Sequence, residues 1–482
     1  MKRVNFRQLL LIMVALLCCC PMNAQSELPW YNIDGVYYRL VGNNEAAVTY
    51  KGKYPQSYNN EYAGHVVIPE TVTWEGKEYK VKYIEAGAFA YCDKLTGITI
   101  PSSIKSVGLE AFYSCYNLTA VHITDLSAWC DIDFLAWGNP LNYANDLYLN
   151  GQPIIDLVIP EDVTEIKADA FQCWENLRSV TIHDNVTSIG RYSFQICNNL
   201  SKVTIGKGVR NIDEYAFYEC RALTDLVISE SVRSIGEYAF CNCRALTDLV
   251  IPDSVTTIGA YAFYECRSLA TLTLGSGVQT IGAGAFAGAE LKSVHIKDLS
   301  AWCKIDHIDL LASHCLYLNG ELLTDLVVPE DVTEIKKYSF YDCNSLKSVT
   351  IHDNVKSIAD KAFYHCDSLK SVTIGDGVTI IGDNAFEGCY ALENLVIGNS
   401  VVSIGNSAFS VCVKLTNLEI PNSVETIGDE AFNRCWAIEN INIGNSVKTI
   451  GYRAFYECDG ITSIEIPNSV LTIGTAAFQN CI

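Results

Sequence analysis

Residues 246–269 read LTDLVIPDSVTTIGAYAFYECRSL, and this stretch decides the fold. Leu249 and Ile251 alternate about Val250, the two-residue period of a strand with one face turned inward. Pro252 follows at once and has no N–H to donate, so the strand ends there. Gly259 is expected to turn a corner with positive φ, which glycine adopts without a Cβ clash. The segment from Gly259 to Cys266 is short and holds the helix formers Ala262 and Glu265. It reads as one helical or 3-10 turn on the convex side, or as a bent second strand. A unit this small cannot bury its own apolar face, so it must stack on copies of itself.

The copies are present. An A-F or S-F pair places Phe at 89, 112, 171, 194, 217, 240, 263, 286, 340, 363, 386, 409, 432, 455 and 478. Twelve of the fourteen intervals are 23 residues and the others are 59 and 54, so the unit is a true repeat. Stacking sets each strand beside its equivalent in a parallel sheet at about 4.8 Å, with ladders of Phe, Ile and Cys along the core. The motif L-x-x-L-x-I-P-x-S-V-x-x-I-G-x-x-A-F-x-x-C resembles the BspA-like, 23-residue class of leucine-rich repeats found on bacterial cell surfaces. The resemblance runs from about residue 60 to the end. It implies a right-handed, curved solenoid with a parallel β-sheet on its concave face, and a non-catalytic adhesion or recognition role.

Two irregular segments, near 118–160 and 291–329, repeat each other. VHITDLSAWCDID (121–133) matches VHIKDLSAWCKID (294–306), and both run on to LYLNG (147–151, 316–320). A block of several rungs was therefore duplicated whole. Counting one degenerate rung in each long interval gives 15 + 2 = 17 rungs. Residues 25–62 lack the motif; DGVYYRLV and EAAVTYKG alternate about Gly42-Asn43-Asn44, which predicts a hairpin capping the first rung of a solenoid spanning 63–482. The chain ends in mid-unit at Ile482, so an open sheet edge and self-association through it are expected there.

Lys2, Arg3 and Arg7 precede an apolar run from Leu9 to Cys20, and Ala24 offers a cleavage position, the layout of a secretory signal peptide over residues 1–24. A lipid anchor on Cys18, Cys19 or Cys20 is the alternative, disfavoured by Leu17 before the first of them. No other apolar stretch is long enough to span a bilayer. The expected localisation is therefore secreted or cell surface. Lys+Arg 34 against Asp+Glu 55 leaves a net charge of −21, which argues against nucleic acid, whose phosphates need a basic partner face.

Of the 21 cysteines, Cys18–Cys20 lie in the leader and fourteen occupy one repeat position. Ladder neighbours pointing in parallel keep their Cβ atoms near 4.8 Å, beyond the usual disulfide range of about 3.5–4.5 Å, so free buried thiols are expected. No zinc spacing, nucleophile motif or P-loop occurs, so neither an enzyme nor a cofactor is predicted. The central column of the sheet is mostly Thr and Val. It departs from them at His122 and His295, and at Glu419, Asn442 and Glu465. Trp137, Tyr143 and Tyr148, in the first insertion, are the aromatic candidates for an exposed anchor. Trp129 and Trp302 are expected to fill the core. The sequence predicts a protein-binding solenoid whose partner is expected on a host surface or in extracellular matrix, with glycan binding or an envelope scaffold as alternatives.

Overall fold

A computed structural model describes residues 29–52, 54–55, 60–305 and 315–481. The expected leader, residues 1–24, lies outside the described residues.

Regular rungs hydrogen-bond to the next through up to three stretches of backbone, the first of them interrupted between Asp225–Val227 and Asp248–Ile251 and between Asn394–Val396 and Asn417–Ile420. In the first, Asp248–Ile251 pairs in parallel with Thr271–Leu274, Leu249 facing Leu272 and Ile251 facing Leu274. In the second, Thr257–Ile258 pairs with Thr280–Ile281. In the third, Phe263 N donates to Ala285 O at 2.7 Å and Glu265 N to Ala287 O at 2.8 Å. The register between neighbouring regular rungs equals the 23-residue repeat, so identical positions face one another. The result is a parallel β-solenoid of about 17 turns with little helix.

The Phe ladder lies in the core. Phe240 and Phe263 stack with centroids 5.2 Å apart, and Phe409 and Phe432 at 5.4 Å. At the N-terminal end Tyr62 continues the ladder, 4.7 Å from Phe89. The eighteen described cysteines form no disulfide. Most of those in the ladder donate to backbone carbonyls: Cys266 Sγ to Phe240 O at 3.3 Å, Cys366 to Phe340 O at 3.1 Å and Cys435 to Phe409 O at 3.2 Å. A small side chain with a weak donor fits that position, and alanine would leave these carbonyls without the S–H.

The glycine expectation is wrong. Gly259, Gly282 and Gly428 are not among the residues with positive φ. They are required by close approach: a Cβ on Gly259 would sit 2.6 Å from Glu237 N, and one on Gly282 2.3 Å from Ala260 N. The left-handed positions fall instead on Tyr261 (φ 55°) and Glu265 (φ 58°), and on their equivalents in other rungs. The convex segment is accordingly a chain of turns rather than a helix. A bulky residue in this region is strained, and stacking offsets part of the cost: Tyr238 and Tyr261 lie 4.9 Å apart at 15°.

At the N-terminal end, Val36–Val41 and Glu45–Val48 form an antiparallel pair. Glu45–Val48 then pairs in parallel with Lys77–Ile84, extending the second strand column beyond the first full rung.

Both irregular blocks are built alike. Asp125 and Asp298 cap the short helices Leu126–Cys130 and Leu299–Lys304, each accepting from a backbone N–H at 3.0 Å. Trp129 and Trp302 are buried, and their indole N–H groups donate to Ala170 O and Ser339 O, both at 3.0 Å. The chain then makes a hairpin, Asp146–Leu149 with Gln152–Pro153, turning at Asn150 (φ 51°) and Gly151 (φ 79°). Leu316–Leu318 with Glu321–Leu322 repeats it, turning at Asn319 and Gly320. Positive φ at both turn residues is the hairpin geometry that Asn-Gly favours. In the first block these two strands join the first column and have no counterpart in the second, whose pairing stops at Asp133–Phe134 and resumes at Glu165–Ile166.

Candidate functional site

The solvent side of the first strand column is a recurring row, because each rung turns the same position outward, though the column is divided into several paired groups of strands. Most members are Thr or Val, and several Val side chains are half-exposed or more, as at Val158 (52%) and Val327 (54%). The row changes character at the two hairpins. Thr99 faces His122, and His122 faces Tyr148. The His122 and Tyr148 rings stack at 4.6 Å and 15°. Tyr148 in turn faces the exposed Pro153. In the second block His295 stacks on Tyr317 at 4.6 Å and 16°, and Tyr317 faces Leu322. The sequence singled out both histidines and, separately, Tyr148; that Tyr148 and Tyr317 stack on the histidines becomes visible only once the LYLNG segments are seen as hairpins in the same sheet.

His65 extends the first cluster. Its ring lies over Gly97, where a Cβ would meet Nδ1 at 2.6 Å, and stands 4.8 Å from the ring of His122. Nε2 of His65 lies 2.7 Å from Thr99 Oγ1. Burial, and next the neighbouring His65, push the pKa of His122 below its ordinary value. Its neutral ring is thereby favoured, and a neutral ring stacks on Tyr148 without bringing a charge.

The other predicted residues scatter. Trp137 is 51% exposed on the turn side of the solenoid, at φ 59°, the position that Tyr192, Tyr215 and Tyr238 occupy in later rungs. Tyr143 is half-buried, and its hydroxyl accepts from Ser114 N at 3.0 Å, a packing role. Asn442 Nδ2 donates to Glu419 Oε2 at 2.9 Å on the exposed row. Glu465 is exposed in the last rung, where no first-column strand forms. These residues do not converge with His122 or His295.

A cleft of about 480 Å³ opens where the second strand column is interrupted, beside the Leu126–Cys130 helix. Its two lysines are paired: Lys105 meets Asp131 at 2.9 Å, and Lys167 meets Asp131 at 3.1 Å and Asp133 at 2.8 Å. The hydrogen bond from Lys105 holds Asp131 below the usual carboxylate range, with Lys167 adding to it. The thiol in its wall, Cys130, is pushed up to about 12 by burial and so is no nucleophile near neutral pH. Among the described residues no three His, Cys, Asp or Glu side chains are grouped to hold a metal ion, and no helix is long and apolar enough to cross a membrane.

The sequence matches the BspA type leucine rich repeat region, in six copies, over residues 70–131 and, in overlapping segments, 144–482. Among solved structures it is similar to a leucine-rich repeat protein from Bacteroides ovatus, at 25% identity and TM-score 0.51, covering 89% of this chain and 93% of that one. A leucine rich cell surface protein from Faecalibacterium prausnitzii matches at 24% identity and TM-score 0.32, covering 94% of this chain and 96% of that one. No functionally curated protein matches. The rung built from residues 246–269, stacked along most of the molecule, carries the family's motif, and the chain belongs to the BspA type leucine-rich repeat family.

Proposed function

We propose that this protein is an exported, non-catalytic binding solenoid of the bacterial surface, delivered by the leader at residues 1–24 and docking a protein partner on its strand face. The observation that carries the reading is the row of half-buried aromatic and exposed aliphatic side chains around His122–Tyr148 and His295–Tyr317. Aromatic anchors on a rigid, regular sheet give a partner contact area at low ordering cost. A pull-down with the chain from residue 25 onward, against extracellular-matrix and cell-surface extracts, tests it. Binding should be lost on replacing the row residues and retained on replacing turn-side residues. The chain's acidity adds a charge term, so binding to a basic partner should weaken as salt rises.

Trp137 supports a second reading, binding of a glycan. It is half-exposed and makes no ring contact among the described residues, so a sugar could stack on its face. A glycan array with the intact chain and Trp137→Ala separates the two.

A further inference from the structure

The cleft beside the Leu126–Cys130 helix stands where the second strand column lacks a rung. Asp133–Phe134 pairs only with Ser106–Val107, and Glu165–Ile166 only with Ser188–Ile189, so the edges facing the opening carry no ladder. Between regular rungs Thr256 N donates to Arg233 O and Gly259 N to Ile235 O, both at 2.8 Å. Thr164 and Lys167 hold those donor positions at the cleft, four repeats earlier. Among the described residues neither N–H meets a backbone carbonyl, and across the opening Ile132 O and Phe134 O accept from no backbone N–H. On the core side the missing rung is made good by side chains: Asn139 Nδ2 donates to Asp169 O at 2.7 Å and to Ala170 O at 3.0 Å, and the Trp129 indole shares Ala170 O. In the second column about 480 Å³ stays open, spanned by the Lys167 side chain, which reaches Asp133 at 2.8 Å.

The duplicated block shows which charge the opening lacks. In the second copy Asp331 accepts from Ser300 Oγ at 2.5 Å and pairs with Lys304 Nζ at 2.6 Å. In the first copy Asp162 takes its place and keeps the serine, Ser127 Oγ at 2.7 Å, but Asp131 occupies the position of Lys304. Asp131 is engaged by Lys105 and Lys167, and among the described residues Asp162 pairs with no cation. We propose that the cleft receives a short extended segment of a partner protein, which adds a strand to the interrupted column and sets a lysine against Asp162 where Lys304 stands in the second copy. Backbone bonds to the two open edges supply affinity with little demand on sequence, and the lysine supplies selectivity. The chain's net charge of −21 draws a basic segment toward the opening. This site lies on the second column, apart from the His122–Tyr148 row of the first, and stands whether or not the strand face docks a partner.

The test uses an array of capped heptapeptides with lysine fixed at the centre and random flanks, beside a second array in which norleucine replaces that lysine. The chain from residue 25 onward should bind the lysine array about 10-fold or more strongly. Asp162→Asn, shown by circular dichroism to keep the fold, should weaken the best binders by about 10–100-fold, the worth of one hydrogen bond to a charged group. His122→Ala/Tyr148→Ala, on the strand face, should leave them unchanged. Bound peptide should slow hydrogen exchange at the Thr164 and Lys167 amides, and N-methylating the peptide backbone should abolish that protection. Three results overturn the proposal: no preference for lysine, binding untouched by Asp162→Asn, or lysine amide binding as tightly as the peptides, which would leave an amine site with no added strand. Loss of partner binding at the strand face with the array result intact removes the preceding reading and leaves this one.

Discussion

Gly259→Ala is the perturbation that best separates two explanations of the repeat's glycine. An added Cβ would lie 2.6 Å from both Glu237 N and Gly236 C, atoms of the preceding rung's backbone that no rotamer change can move. Restoring an ordinary contact of 3.4 Å requires the rungs to part by about 0.8 Å there. The same contact holds the hydrogen bond from Gly259 N to Ile235 O, 2.8 Å long, so relieving the clash stretches that bond. Overpacking costs about 1–3 kcal/mol, and a weakened backbone bond adds up to about 1 kcal/mol. Restricting the unfolded chain returns about 0.4–1 kcal/mol. The expected net loss is about 1–3 kcal/mol. A solenoid of this length need not unfold in one step, so a melting temperature is a poor readout. Hydrogen exchange by mass spectrometry is better: amides of the rungs around 233–283 should exchange about 10–100-fold faster, and those beyond residue 400 unchanged. Gly42→Ala is the control, since no atom lies within 4 Å of the added Cβ and its φ is not positive. Gly259→Asn discriminates further, because asparagine tolerates positive φ but carries a Cβ. If Asn is tolerated where Ala is not, or if Ala is neutral, the close-approach explanation is refuted.

Three other outcomes are expected. Native protein should react slowly with a thiol reagent, because burial raises the ladder thiols, Cys389 to about 12 among them; unfolding without reductant should release most of the eighteen described thiols, and a low count would contradict the free ladder. Asp169 is raised by burial from 3.8 to about 6, against the pull of Arg191. A carboxyl raised in this way favours the fold below its unfolded pKa and loses that contribution as pH rises through 6, so by hydrogen exchange Asp169→Asn should stabilise its own and the adjoining rungs by about 1–3 kcal/mol at pH 8 and hardly at all at pH 4; a gain independent of pH would contradict this. His122 should titrate below 6.5 by NMR, and His65→Ala should move it upward without restoring it fully, since burial is the larger cause. Its depressed pKa stabilises the fold above 6.5, and that contribution is lost as pH falls below it.

The repeat itself carried most of the fold. Alternation at Leu249 and Ile251, the stop at Pro252 and fifteen phenylalanines in phase specify a stacked parallel sheet, because a unit that cannot close its own core has one way to bury it. The buried Trp129 and Trp302 were legible for the same reason. The convex turns were not. The left-handed residues are Tyr261 and Glu265, neither of them a turn former by composition, and what holds them is the line of backbone hydrogen bonds to the next rung. The glycine misled because its usual reason, positive φ, is a local property, whereas the actual reason is backbone of the neighbouring rung, about one repeat earlier in the chain.

The site divides along the same boundary. The order of residues along the chain was enough to show that a block had been duplicated and that His122 and His295 sit at the solvent-facing position of their strands. That Tyr148 and Tyr317 stack on them was decided only in three dimensions: an Asn-Gly turn folds each LYLNG segment into the sheet one strand on, closing the distance to 4.6 Å. Local periodicity determines what a residue faces, and stacking determines what it touches.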